Sequence, residues 1–280
     1  MELKKSGNIK VKSPHHSRDI LIDFQHLVTH QPKPVILFVH GFKGFKDWGP
    51  FNLMADYFAQ AGFVFVKMNF SHNGTTVDQP TDFADLEAFG QNNFSIEQQD
   101  ITTVLDYLVH NLDESECDLQ KINLIGHSRG GGAAILAAHR HDCVKRLATL
   151  AALNNLDSRY PEAVMTAWEK NGVFHVYNAR TEQQMPLYYQ IVEDYFSNSN
   201  QLDISQAVKN LEKPFMAFHG TGDETLPVTM LHEMKSWNPD LTAIEMPGVN
   251  HTFGGQHPHN EDSLPKDLKI AIDHIIDFFK

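Results

Sequence analysis

Cysteine is nearly absent: Cys117 and Cys143 are the two thiols in 280 residues. A disulfide framework is therefore excluded as the organising device, and a reducing compartment is compatible. Cationic side chains are also scarce, 23 Lys and Arg against 35 Asp and Glu, for a formal charge of −12. That balance argues against nucleic acid or an anionic membrane as a partner, because both are held by neutralising phosphates. Long apolar runs are missing too. Stretches such as Val35–Val39 fall far short of the ~18 residues that suggest a membrane span. The opening MELKKSGNIKVKS carries charge with no apolar run behind it, so no signal peptide is expected and the cytoplasm is the expected location. There is no internal repeat, low-complexity tract or charge block.

What is present suits one globular domain over residues 1–280, with 41% hydrophobic and 21% charged residues. IKVKS and DILIDFQHLV read as strands of a hairpin turning at Pro14–Arg18. From Val35 onward, short apolar strands (VILFVH, FVFVKMNF, INLIG, RLATLAAL, PFMAFHG, TAIEM) alternate with helical patterns. Those helices are expected over 51–61, from Ser95 to about His110, over Ser128–His141, near 228–236 and over 264–280. Ser95-Ile-Glu-Gln98 has the form of a capping box. Such alternation means parallel strands with crossover helices, hence an α/β sheet covered on both faces. One interval breaks the rhythm. Residues 154–213 read as an insertion, a lid with a hairpin around 173–180 and a helix around 186–196.

Residues 124–133, LIGHSRGGGA, place glycines where a helix should begin, although each costs about 1 kcal/mol against alanine there. A strand precedes and a helix follows, so the chain must reverse sharply at Ser128. Gly126 and Gly130 remove Cβ atoms that would collide in so tight a strand–turn–helix. This is the pattern of a nucleophile elbow, G-x-S-x-G, with Ser128 exposed at its tip.

A serine hydroxyl needs a base, an acid that orients the base, and donors for the oxyanion. With this elbow, the acid and then the base follow in chain order. HGTGDETLPV supplies Asp223 directly off a glycine-rich turn, with Glu224 as its neighbour and competitor. AIEMPGVNHTF places His251 on the loop after the last strand. The expected oxyanion donors are the backbone N–H groups of Arg129, at the helix N-terminus, and Phe42, in HGFKG after the VILFVH strand. His127 is expected to point away from the reaction centre, as a packing or hydrogen-bonding residue. His257 and His259, in H-P-H, read as solvent-exposed, and no third ligand stands at a zinc-like spacing. No metal or cofactor is expected. In the insertion, Trp168, Tyr177, Met185 and Tyr188 are candidates to line an apolar substrate pocket, beside Phe174 and Tyr189. Arg180 or Lys43 could hold a substrate carboxylate.

HGFKGFKDWGPF, GHSRGG, HGTGDETLPV and PGVNH, taken in that order, make the chain from about residue 20 to 280 resemble an α/β-hydrolase. HGFKG with the following D-W-G, and D-x-x-A-F-G at Asp85–Gly90, resemble bacterial cinnamoyl/feruloyl esterases and the dienelactone hydrolase-like branch. The resemblance implies acyl transfer through a covalent acyl-serine, with Ser128 as nucleophile, Asp223 as acid, His251 as base, and Phe42 and Arg129 as oxyanion donors. Two departures stand out. KMNFSHNG replaces the aspartate-rich D-x-x-G-x-G turn of relatives, leaving Asn69 and His72 there. Serine also stands where dienelactone hydrolases often carry cysteine. The expected activity is hydrolysis of small or medium carboxylic esters, aromatic ones included. The alternatives are an aminopeptidase, acylpeptide hydrolase or thioesterase of the same fold, or a ligand-binding relative without catalysis. The expected partner is a small-molecule ester, and the oligomeric state stays open.

Overall fold

The computed structural model describes residues 2–156 and 160–280; Met1, and residues 157–159 of the expected insertion, lie outside the described residues. The chain opens with β1 (Leu3–Lys12), β2 (Asp19–Leu27), β3 (Lys33–Val39), α1 (Phe51–Gln60) and β4 (Val64–Asn69). It continues with α2 (Leu86–Gln91), α3 (Phe94–Asn111), β5 (Cys117–His127), α4 (Arg129–Arg140) and β6 (Val144–Leu150). Between β6 and the next strand of the main sheet lie α5 (Glu162–Asn171), β7 (Val173–Asn178), β8 (Gln183–Tyr188), α6 (Gln190–Ser197) and α7 (Ile204–Lys209). The chain closes with β9 (Phe215–Gly220), α8 (Thr229–Trp237), β10 (Thr242–Met246) and α9 (Lys266–Phe279).

The main sheet has eight strands in the order β1-β2-β4-β3-β5-β6-β9-β10. The β1–β2 and β2–β4 pairings are antiparallel and the other five are parallel. Alternation along each strand feeds both faces. In β3, Val35, Leu37 and Val39 join a core beneath α3, α4, α7 and α8, while Ile36 and Phe38 join one beneath α1 and α9. Both sets are fully buried, which is why a parallel strand reads as a continuous apolar run. The crossovers leave the C-terminal ends of β3, β5, β6, β9 and β10 along one edge, where ligands gather in open α/β sheets.

Some elements depart from expectation. The cap of α3 is Asn93, whose Oδ1 accepts the Ile96 N–H at 2.8 Å. The helix thus starts ahead of the Ser95 box, because an equally good capping residue stands two positions earlier. Residues 186–188 are not helical. Met185–Tyr188 pairs with Val173–Val176 in an antiparallel hairpin, so α6 begins only at Gln190. The six-residue helices α2 and α7 and the weakly apolar α5 are additional to the sequence reading. They are too short, or too sparsely buried, to show a helical period. No helix among the described residues is long and apolar enough to cross a membrane.

Candidate functional site

The end of β5 and the start of α4 meet at Ser128, whose backbone is held at φ 55°, ψ −123°. A non-glycine residue at positive φ costs on the order of 1–3 kcal/mol and persists where its surroundings over-determine it. Here the Ser128 N–H donates to Leu150 O at 2.9 Å, and its carbonyl accepts from Gly131 and Leu153. Strand and helix approach so closely that a Cβ on Gly126 would lie 2.4 Å from Gly130 O. One on Gly130 would lie 2.2 Å from His40 O. Only glycine fits either position, and the close turn leaves the half-buried serine lining a hollow.

Two further loops converge on it. The loop after β9 is tied to the loop after β10 by Thr221 N–H to Met246 O (3.0 Å) and Gly222 N–H to Val249 O (3.1 Å). These bonds set Asp223 against His251. The His251 Nδ1–H donates to Asp223 Oδ2 at 2.7 Å, and His251 Nε2 lies 2.9 Å from Ser128 Oγ. With its Nδ1 proton facing a carboxylate, the neutral ring presents Nε2 as an acceptor for the serine hydroxyl. The other oxygen of Asp223 accepts the Thr225 and Leu226 N–H groups at 2.8 and 2.9 Å. Burial alone would raise the pKa of Asp223. Hydrogen bonds from His219, His251 and the Leu226 N–H outweigh it and hold the group far below the usual carboxylate range. Glu224 faces solvent.

Arg129 opens α4, so its N–H belongs to the first turn, which has no intrahelical acceptors. Phe42 follows Gly41, which packs against the elbow closely enough that a Cβ there would sit 2.9 Å from Ser128 Cβ. The side chains of these two residues also meet. The Arg129 guanidinium lies 5.4 Å from the Phe42 ring centroid and 4.5 Å from that of Phe94. It is anchored by Glu97, with Nη2 2.9 Å from Oε1. Burial pushes the Glu97 pKa up, against the pull of Arg129.

Several histidines behave differently from expectation. His127 does not point away: it lines the cavity beside Ser128, and its Nε2–H donates to the His251 carbonyl at 3.0 Å. Burial drives its pKa down to about 3, so it is a neutral donor that fixes the His251 backbone. His257 is half-buried in that same cavity, its Nδ1 accepting the Gly49 N–H at 2.9 Å and its ring 5.0 Å from that of Phe45. His259 is half-buried, with Nε2 on Ser263 O. His257 is thus drawn inward by packing on Phe45 and Trp48 that the polar flanking sequence does not reveal. His219, fully buried, lies 3.3 Å from Asp223 Oδ2 through Nε2. Its i, i+4 spacing from Asp223 was the available sequence signal. Asn69, buried at the end of β4, accepts the Lys46 N–H at 2.6 Å.

Two hollows lie near the elbow, one lined by Ser128 itself and one by its neighbour Arg129. One, of about 280 Å³, touches His251 and is lined by Lys43, Asn178, Arg180, Thr252 and His257 among others. The other is a narrow cleft of about 50 Å³, walled by Leu153, Leu156, Met165, Trp168, Leu187 and Phe196. Phe42 borders both. Of the four aromatic and methionine candidates, only Trp168 lines either hollow, anchored by its Nε1–H on Leu187 O at 2.8 Å. Met185 is fully buried in the core of the insertion. Tyr188 lies over Gly90, where a Cβ would be 2.8 Å from its ring, and its hydroxyl donates to Glu87 at 2.6 Å. Tyr177 turns its side chain to solvent, while its carbonyl accepts from Lys43 Nζ at 3.4 Å. Arg180, considered for a substrate carboxylate, does reach the cavity, paired with Asp82 at 3.2 Å.

The backbone is similar to several solved structures. Est1E from Butyrivibrio proteoclasticus, bound to ferulic acid, superposes with TM-score 0.72 at 16% identity, covering 96% of this chain and 97% of that one. The esterase domain of a Rhodothermus marinus protein gives 0.64 at 16%, with 99% and 98% covered. A dienelactone hydrolase from Anabaena variabilis gives 0.65 at 15%, with 100% and 98% covered. No curated protein matches the chain. The BD-FAE family model matches residues 24–237. With its mostly parallel sheet, the elbow at the end of β5 and this match, the chain belongs to the BD-FAE family of the α/β-hydrolases.

Proposed function

We propose that the protein is a serine hydrolase that cleaves carboxylic esters through an acyl-Ser128 intermediate. One observation carries the reading: Asp223, His251 and Ser128 form a continuous hydrogen-bonded relay of 2.7 and 2.9 Å, ending on a serine held at positive φ. The family's α/β-hydrolase fold and the esterases among the similar structures support it.

The steps follow from the geometry. Ser128 Oγ attacks the ester carbonyl carbon while His251 Nε2 takes its proton. The carbonyl oxygen becomes an oxyanion, met by the Arg129 and Phe42 N–H groups at the positive end of α4. As the carbon–oxygen bond to the alcohol breaks, His251 returns that proton to the departing oxygen. Water, deprotonated by the same ring, then attacks the acyl carbon, the bond to Oγ breaks, and Oγ recovers the proton. Asp223 remains anionic throughout and stabilises the imidazolium. The insertion over 154–213 acts as a cap. Unpaired Cys117 and Cys143 suit work in the cytoplasm.

A fluorophosphonate probe should label the wild-type protein and fail to label Ser128→Ala. A panel of p-nitrophenyl esters should be hydrolysed well ahead of aminoacyl-anilides. Labelling that survives in Ser128→Ala would overturn the nucleophile assignment, and faster anilide cleavage would favour a peptidase.

A further inference from the structure

Asp223 orients His251, and something must in turn orient Asp223. Its side chain is 0% exposed, so solvent cannot steady it and its oxygens depend on donors from the protein. Oδ1 takes the Thr225 and Leu226 N–H groups, and Oδ2 takes the His251 Nδ1–H. One lone pair is then left on the oxygen that faces the base.

His219 stands at that place. It lies on β9, on the strand face that Phe215 and Ala217 give to the core beneath α3, α4, α7 and α8. A polar ring in such a position is costly unless it is hydrogen-bonded. Its Nε2 lies 3.0 Å from Leu226 O and 3.3 Å from Asp223 Oδ2. A carbonyl oxygen can only accept, so Nε2 carries a proton, and that one N–H is shared between the two oxygens. Nδ1 is buried and has no hydrogen-bond partner among the described residues, so the side chain acts through Nε2. The turn after β9 makes the reach possible, because the Asp223 N–H bonds back to Gly220 O at 3.3 Å. Neighbouring titratable groups are engaged elsewhere. Glu245, in register with His219 on β10, is exposed and pairs with His232 at 2.9 Å. Glu224 faces solvent, and His127 donates to the His251 carbonyl.

Resting on the acyl-Ser128 reading, we propose that His219 is a positioning residue for the hydrolysis, holding Asp223 Oδ2 on His251 through its own Nε2–H. Rotation of the carboxyl group would have to break this bond together with those from Thr225, Leu226 and His251, so Oδ2 stays aimed at the imidazole. The same bond favours the ionised carboxylate, the direction in which Asp223 is held against its burial.

His219→Leu removes the donor and keeps a side chain of similar size. Its kcat on p-nitrophenyl butyrate should fall about ten-fold, with KM within about two-fold of wild type. The acid limb of its kcat/KM profile should move to higher pH, because Asp223 then takes up protons more readily. His219→Gln, whose amide N–H reaches the place of Nε2, should restore most of kcat, whereas the shorter His219→Asn should not. If His219→Leu folds poorly, the comparison of Gln with Asn carries the test. In an Asp223→Asn background, His219→Leu should cost less than about two-fold, since the group it acts through is already altered. Equal losses in both backgrounds would assign His219 to pinning the Leu226 carbonyl alone and overturn the inference. An unchanged kcat in His219→Leu, an acid limb that does not move, or equal activity of the Gln and Asn variants would overturn it too. Each of these leaves the esterase reading standing, whereas fluorophosphonate labelling that survives in Ser128→Ala overturns both.

Discussion

Gly130 carries more consequence than its lack of a side chain suggests. A methyl group there would meet the carbonyl oxygens of His40 and Val39 at 2.2 and 2.5 Å, and backbone cannot yield as a side chain does. Gly130→Ala should destabilise the fold by about 1–3 kcal/mol or more, read from the urea midpoint, and should abolish labelling of Ser128 in whatever protein remains folded. The choice between adjacent carboxylates is equally testable. Asp223 accepts from His251, Thr225 and Leu226, whereas Glu224 faces solvent. Asp223→Asn should lower kcat on the order of 10⁴-fold, since the imidazole loses the partner that fixes its tautomer. Glu224→Gln should leave kcat within about two-fold. A large loss in the Glu224 variant, with little in the Asp223 variant, would reverse the assignment.

Helices α3 and α4 are joined by the Glu97–Arg129 pair, both side chains at most 7% exposed. Removing one partner of such a pair leaves a buried charge unmatched. Glu97→Ala should therefore cost about 3–5 kcal/mol in urea unfolding. Arg129 also stacks on Phe42, so the same change should loosen the two residues proposed as oxyanion donors and lower kcat more than it raises KM. The hairpin β7–β8 reaches the body through different contacts. Tyr188 closes over Gly90, and Arg180 reaches Asp82 and the Thr81 carbonyl.

Acid should destabilise the molecule through two kinds of group. Glu116 is held at about 2 chiefly by the hydrogen bond from Lys33. A carboxyl depressed in the folded state contributes stability that is fully present above its ordinary value near 4.5 and is lost as pH falls toward 2. The Tm difference between wild type and Glu116→Gln should accordingly be largest at neutral pH and shrink below about pH 4.5. His40 and His127 are imidazoles whose pKa values burial lowers from 6.5 to about 4 and 3. The unfolded chain takes up protons that the folded one refuses, so stability should already fall between about pH 6.5 and 4. Urea midpoints at pH 7 and pH 5 measure that fall, and a midpoint unchanged between them would contradict it.

Local pattern was enough for the alternating strands and helices, the strand–glycine–serine–helix turn, and the chain order of Ser128, Asp223 and His251. Each depends on steric and periodic rules that act within a few residues. Distances between loops were beyond that reach. Hydrogen bonds from the β9 loop to the β10 loop set Asp223 2.7 Å from His251. Aromatic packing draws His257 inward, and the hairpin register turns Tyr177 out to solvent while Met185 is buried. The same holds for the lining beside Ser128, where Trp48, Phe51 and Asn178 stand and Tyr177, Met185 and Tyr188 do not. A side chain's neighbours across the fold are chosen by how whole elements pack, and that packing minimises a free energy summed over residues far apart in the chain.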